Sequence, residues 1–208
     1  MLLSARIFRW SISAAVFAIV ACGGGYIGGP GSTPTVRTDL CNCSPIEPDS
    51  ADYRHAAKHV GLPGSSGQTI SVATILGWPQ GPDPAFDAPR SGRELQEFFI
   101  PHAWLQLAWE NPGDCDLHLE ISDVPDKAAP RVITETPVDG QYCPARQTIQ
   151  QQLAAHGFTL NITSGELSTP LPVQVLGLAF QDAEHLRASQ FVATVWELHP
   201  AIVTIIGQ

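Results

Sequence analysis

The chain has 208 residues, which suits one domain with tails and is long enough to bury a real core, so that disulfides would only assist. A net charge of −9 argues against a basic face that tracks phosphates, and no nucleic-acid partner is expected. Apolar content is ordinary and no short repeat recurs, which excludes collagen, coiled coil and a wholly disordered chain.

The front end has its own character. Arg6 and Arg9 precede an apolar run from Trp10 to Val20, followed by Ile19-Val20-Ala21-Cys22. A basic start, a short apolar stretch and a small residue before a cut form a secretory signal, expected over residues 1–21. The run is too short to span a bilayer comfortably. The Ile-Val-Ala-Cys ending resembles the lipobox of bacterial lipoproteins. That resemblance implies lipid on Cys22, which becomes the first mature residue. It also implies an exported lipoprotein anchored in the cell envelope, periplasmic or at the cell surface. Gly23 to Gly25 and Gly28 to Pro34 open a stretch too poor in side chains to order itself. Residues 22–50 are therefore expected to be a tether. Cleavage removes Arg6 and Arg9 and no acid, so the mature chain is still more acidic and its membrane contact rests on the lipid.

Beyond Cys22, four thiols remain: Cys41, Cys43, Cys115 and Cys143. An even number in an exported chain favours disulfides, with three possible pairings. Cys115 and Cys143 flank two predicted strands, so a bridge between them is favoured. Cys41 and Cys43 are left to pair with each other, with a second chain, or not at all.

Residues 51–96 read as an extension of helix and loop. Ser50 caps a predicted short helix over Ala51 to Val60, ended by Gly61 and Pro63. His55 and His59, four apart, have a metal-capable spacing, but two solvated histidines are the plainer reading. Thr69 to Trp78 is apolar with Ser71 as a possible cap, and periodicity leaves helix and strand open. Four prolines make Pro79 to Pro89 a connecting loop.

From Phe98 the pattern alternates. Phe99, Pro101, Ala103, Leu105, Leu107 and Trp109 share one face of a predicted strand, with Pro101 marking an edge or bulge. Asn111-Pro112-Gly113 is a turn. Leu117, Leu119 and Ile121 alternate with Asp116, His118 and Glu120 on a second strand. Arg131 to Thr136 is a third. A helix follows from Pro144 to His156, stopped by Gly157. Pro172 to Phe180 and Thr194 to Ile206 are the last strands. Three strands, a helix and two strands is the order of a small antiparallel OB-like barrel, expected over residues 97–208. A β-sandwich is the alternative.

Asp114-Cys115-Asp116-Leu117-His118-Leu119, Glu135-Thr136-Pro137 and Glu197-Leu198-His199-Pro200 together resemble a widespread set of uncharacterised bacterial proteins. These share Asp-x-Asp-x-His-Leu, Glu-x-Pro and Glu-Leu-His-Pro motifs. The resemblance spans about Arg93 to Ile206 and implies a fold but no chemistry. Cys115 stands where that set commonly has Gly, and Gln181 to Ala193 lacks its His-Gly-Gln loop.

Period two puts Asp116, His118 and Glu120 on one face, and Glu197 with His199 on another. Should those faces adjoin, Asp116, His118, Glu197 and His199 form a ligand set for a divalent metal, with Glu135 orienting a histidine from behind. With one open position, a bound water becomes a nucleophile near neutral pH. Equally, carboxylate-held histidines pin strands together. No nucleophile elbow or phosphate loop is present. Two functions follow. One is a lipid-anchored envelope binding domain for a protein, peptide or glycan, with a structural or ligand-binding cluster. The other is a metal-dependent, hydrolytic enzyme working at those four residues.

Overall fold

The computed structural model describes residues 39–207 except 63, 65, 66, 163, 164 and 184–188. The expected signal peptide, Cys22 and the first part of the tether lie outside the described residues. So does the middle of the Gln181–Ala193 segment. Among the described residues, no helix is long and apolar enough to cross a membrane.

Among the described residues six strands form one sheet: β1 (Gln68–Thr69), β2 (Glu97–Glu110), β3 (Leu117–Ser122), β4 (Val132–Thr136), β5 (Glu166–Gln181) and β6 (Trp196–Ile205). They are ordered β1-β2-β3-β4-β6-β5, and a further β2–β5 pairing closes β2 to β6 into a five-stranded barrel. The β4–β6 pairing, at Thr134 and Leu198, is parallel, so the barrel is mixed rather than wholly antiparallel. Closure on β2 rules out the sandwich. Helix α3 (Cys143–Ala155) lies between the third and fourth barrel strands, as the OB order requires. It starts with Pro144 in its first turn, buries Ile149 and Leu153, and precedes Gly157 at φ 75°.

The barrel interior is apolar. Leu117, Leu119, Ile121, Val132 and Leu198 join Ile100, Leu105 and Val173 in one buried cluster. Strand β2 does not keep the single phase that its alternation predicts. Its register shifts between Ile100 and Ala103 and again between Leu105 and Leu107. The inward set therefore runs Phe98, Ile100, Ala103, Leu105, Ala108, and Trp109 falls on the outer face. A strand that pairs with both β3 and β5 must coil, and bulges absorb the coiling.

The outer face is covered too, which is why β3 and β4 are buried along their full length. The cover is the segment before β1. Residues 39–50, expected in the tether, are fixed to the barrel. Leu40 is buried in the core, and Ile46 and Glu47 donate backbone N–H groups to Pro112 and Gly113 at 3.1 and 2.9 Å. Two disulfides hold the segment: Cys41–Cys143 and Cys43–Cys115. The expected Cys115–Cys143 bridge is thus incorrect. Each of these cysteines takes a partner from a segment laid along the β2–β3 turn, which a hairpin argument does not consider. Arg146 of α3 is fully buried and locks the same corner. It donates to the carbonyls of Leu40, Thr136 and Cys115 and to Glu110.

The predicted Ala51–Val60 helix is broken. A 3-10 turn spans Asp49–Ala51, and α1 is only His55–Lys58. Arg54, at φ 54°, separates them. Its buried guanidinium makes a two-pronged ion pair with Glu94 at 2.7 and 2.9 Å and lies 4.7 Å over Phe180. A charge-assisted fork of this kind offsets the roughly 1–2 kcal/mol of a left-handed residue. The Thr69–Trp78 stretch is both a strand end and a helix, α2 (Val72–Leu76), with Ser71 as its cap.

Candidate functional site

Two strand ends build the site. On β3, His118 sits opposite Trp109 of β2 and Glu135 of β4. On β6, Leu198 points into the core, so its neighbours Glu197 and His199 face outward beside Glu135. The two imidazoles therefore converge, and Glu135 joins them. Its Oε1 lies 2.8 Å from His118 Nδ1 and its Oε2 lies 3.0 Å from His199 Nδ1. Asp116 Oδ2 faces the other nitrogen of His199 at 3.1 Å, and Glu197 Oε1 stands 3.6 Å from His199 Nδ1. Asp116 Oδ1 accepts from the Val138 N–H at 2.9 Å, which ties the cluster to the chain after β4.

Glu135, expected behind the ligands, is instead at the centre. Glu120 was absent from the expected ligand set, yet its Oε1 stands 3.5 Å from His118 Nε2. Its other oxygen accepts from Arg131 at 3.0 Å. Each imidazole is thus flanked by carboxylates on both nitrogens.

All six residues, Asp116, His118, Glu120, Glu135, Glu197 and His199, are buried, and burial sets the electrostatics. It opposes charge on His199, yet Asp116, Glu135 and Glu197 outweigh it and hold that imidazole well above its ordinary pKa. Burial likewise opposes His118, but contacts with Glu120 and Glu135 raise it to about 9. Burial would raise Glu135, and the two imidazoles hold it well below the carboxylate range. Glu197 goes the other way. Burial first, then the charges of Asp182 and Glu135, push it up to about 7. Asp114 is raised to about 7 by burial and by Glu135 and Asp116.

A cavity of about 540 Å³ opens beside the cluster, roofed by the segment before β1. Glu47, Asp52, Asp114, Glu135, Asp182 and Glu197 line it, against Lys58 and His118 as cations. Trp109 and Tyr53 supply aromatic wall. The indole N–H of Trp109 is buried with no hydrogen-bond partner among the described residues. Neither does Glu197 Oε1 have one. Lys58 is held charged: burial opposes it, and Glu135, Asp52 and Glu197 outweigh burial. Asp52, Tyr53 and Lys58 come from the covering segment. No motif marks them, because their place depends on how that segment docks.

One oxygen each from Asp116 and Glu135 and one nitrogen of His199 lie within 4.8 Å of one another, a spacing that can hold a metal ion. His118 and Glu197 fall outside that group, so the expected four-residue set does not meet at one point. Cys115 has φ 70°, a conformation natural to Gly. No known family, curated protein or solved structure matches this chain.

Proposed function

We propose that the chain is a lipid-anchored binding module of the bacterial cell envelope. Its ligand-binding site is the acidic cavity beside the Asp116/His118/Glu135/His199 cluster. The lipobox-like Ile19 to Cys22 and the glycines after it support export and lipid anchoring at Cys22. The observation that carries the binding reading is the division of labour on the outer face. The imidazoles are buried and flanked by carboxylates, which suits a pin between strands. Glu197, which stands 3.6 Å from His199 Nδ1, also lines the cavity.

Six carboxylates around one opening select a cation. Aromatic walls at Trp109 and Tyr53 suit an amine or guanidinium group. The ligand class is therefore a partner peptide bearing Lys or Arg. Fluorescence anisotropy with labelled cationic peptides tests this. Micromolar binding that weakens about tenfold in Glu197→Gln, as expected for losing a charged partner, supports it. Equal affinity for acidic and cationic peptides overturns it. The resemblance of the three motifs to uncharacterised bacterial proteins suggests that others share the cluster.

The convergence of Asp116, Glu135 and His199 favours a second reading, a metal-dependent hydrolytic enzyme. It differs by requiring a stoichiometric metal that is lost in His199→Gln.

A further inference from the structure

We infer a divalent-metal site at Asp52, His55 and His59, distinct from the cluster on β3, β4 and β6. One atom from each of the three lies within 4.8 Å of the others. Asp52 Oδ2 is 3.0 Å from His55 Nδ1 and 3.9 Å from His59 Nε2. Ligands about 2.0–2.1 Å from a tetrahedral zinc sit roughly 3.3 Å apart, so these separations straddle what one ion needs. His55 begins α1, and the His59 N–H bonds back to the His55 carbonyl at 3.0 Å. That single turn stacks the two rings 4.0 Å apart.

The remaining atoms are arranged as a metal site requires. His59 Nδ1 is 2.7 Å from Asp139 Oδ2, which fixes the proton there and leaves Nε2 as a lone pair. That Nε2 is buried, on a side chain 9% exposed, and has no hydrogen-bond partner among the described residues. His55 Nε2 has an outer carboxylate too, Asp49 Oδ2 at 3.6 Å. Lys58 takes Asp52 Oδ1 at 2.9 Å and leaves Oδ2 facing the imidazoles. A cavity of about 180 Å³ adjoins the three ligands, with Glu47 and Asp114 also on its wall, giving room for a water on the ion.

Two imidazoles and one carboxylate suit Zn²⁺, Ni²⁺ or Cu²⁺ rather than Ca²⁺ or Mg²⁺. Such an ion would clip the one-turn helix to the rim that this cavity shares with the larger one. The site shares Asp52 with the wall of the larger cavity, but its argument does not depend on the peptide-binding reading.

The test uses the full chain without a histidine tag, stripped with chelator and titrated with Zn²⁺ by calorimetry and with Co²⁺ by visible absorption. One equivalent is expected to bind, with tetrahedral Co²⁺ bands. The side chain of His55 is 32% exposed, so His55→Ala should fold. It should abolish the bands and weaken Zn²⁺ at least tenfold. Asp139→Asn, which touches only the outer nitrogen of His59, should weaken it about tenfold. His199→Gln should leave it unchanged. Folded protein that binds no Zn²⁺ overturns the site. So does binding that survives His55→Ala or disappears in His199→Gln.

Discussion

Glu135 is hydrogen-bonded to His118 through Oε1 and pairs with His199 through Oε2 at 3.0 Å, so a glutamine there keeps one contact and turns an NH₂ toward the other ring. Leaving a buried charge unmatched costs about 3–5 kcal/mol, and Glu135→Gln should lose that much in urea unfolding at pH 6. Glu197→Gln should behave oppositely, because burial and neighbouring charges already penalise its ionised form. It should be neutral at pH 5 and stabilising at pH 8. The same groups set the pH dependence of the wild type. His118 titrates near 9 when folded, against an ordinary 6.5. Its contribution is therefore complete below pH 6.5 and lost as pH rises through about 9. Glu197, raised from 4.5 to about 7, becomes a penalty as pH rises between those two values, and the penalty is complete above about 7. Thermal melts should show Tm falling steadily from pH 5 to 10, and in Glu197→Gln the part of the fall below about pH 7 should be shallower. A flat profile would contradict this assignment of charges. Period-two reading of β3 and β6 made His118, His199 and their carboxylates legible. It missed the centrality of Glu135 because cross-strand register is not written in either strand alone.

The covering segment is the element that turns a barrel face into a cavity. Its disulfides close loops of 102 and 72 residues. In the chain-entropy account each contributes about 4 kcal/mol, with less than the sum from the pair because one loop lies within the other. Reduction should lower stability by several kcal/mol. It should also raise hydrogen exchange over residues 39–60 ahead of the barrel strands. Protection that persists in that segment after reduction would show that packing, rather than the bridges, holds it. Strands and α3 were legible because hydrophobic alternation and the Pro144 and Gly157 signals are local. The cover was not. Composition after Cys22 is loop-like throughout, and the docking of Leu40 depends on Arg146, more than a hundred residues away. The bulges of β2 were hidden for a similar reason. They answer barrel closure, which no window of sequence contains.

At the scale of the whole molecule, an OB-like barrel is built by a chain of net charge −9. The anchor and the cavity make separate predictions. Cys22→Ser should leave the chain unacylated and outside the membrane fraction without altering peptide affinity. The most direct measurement is the indole N–H spectrum of the protein as a Lys- and Arg-bearing peptide is added. Trp109, identified by the signal missing in Trp109→Phe, has a buried and unbonded N–H at the cavity wall. Its resonance should move with saturation, and those of Trp78 and Trp196 should stay. An unmoved Trp109 signal in peptide-saturated protein would contradict the cavity as the binding site.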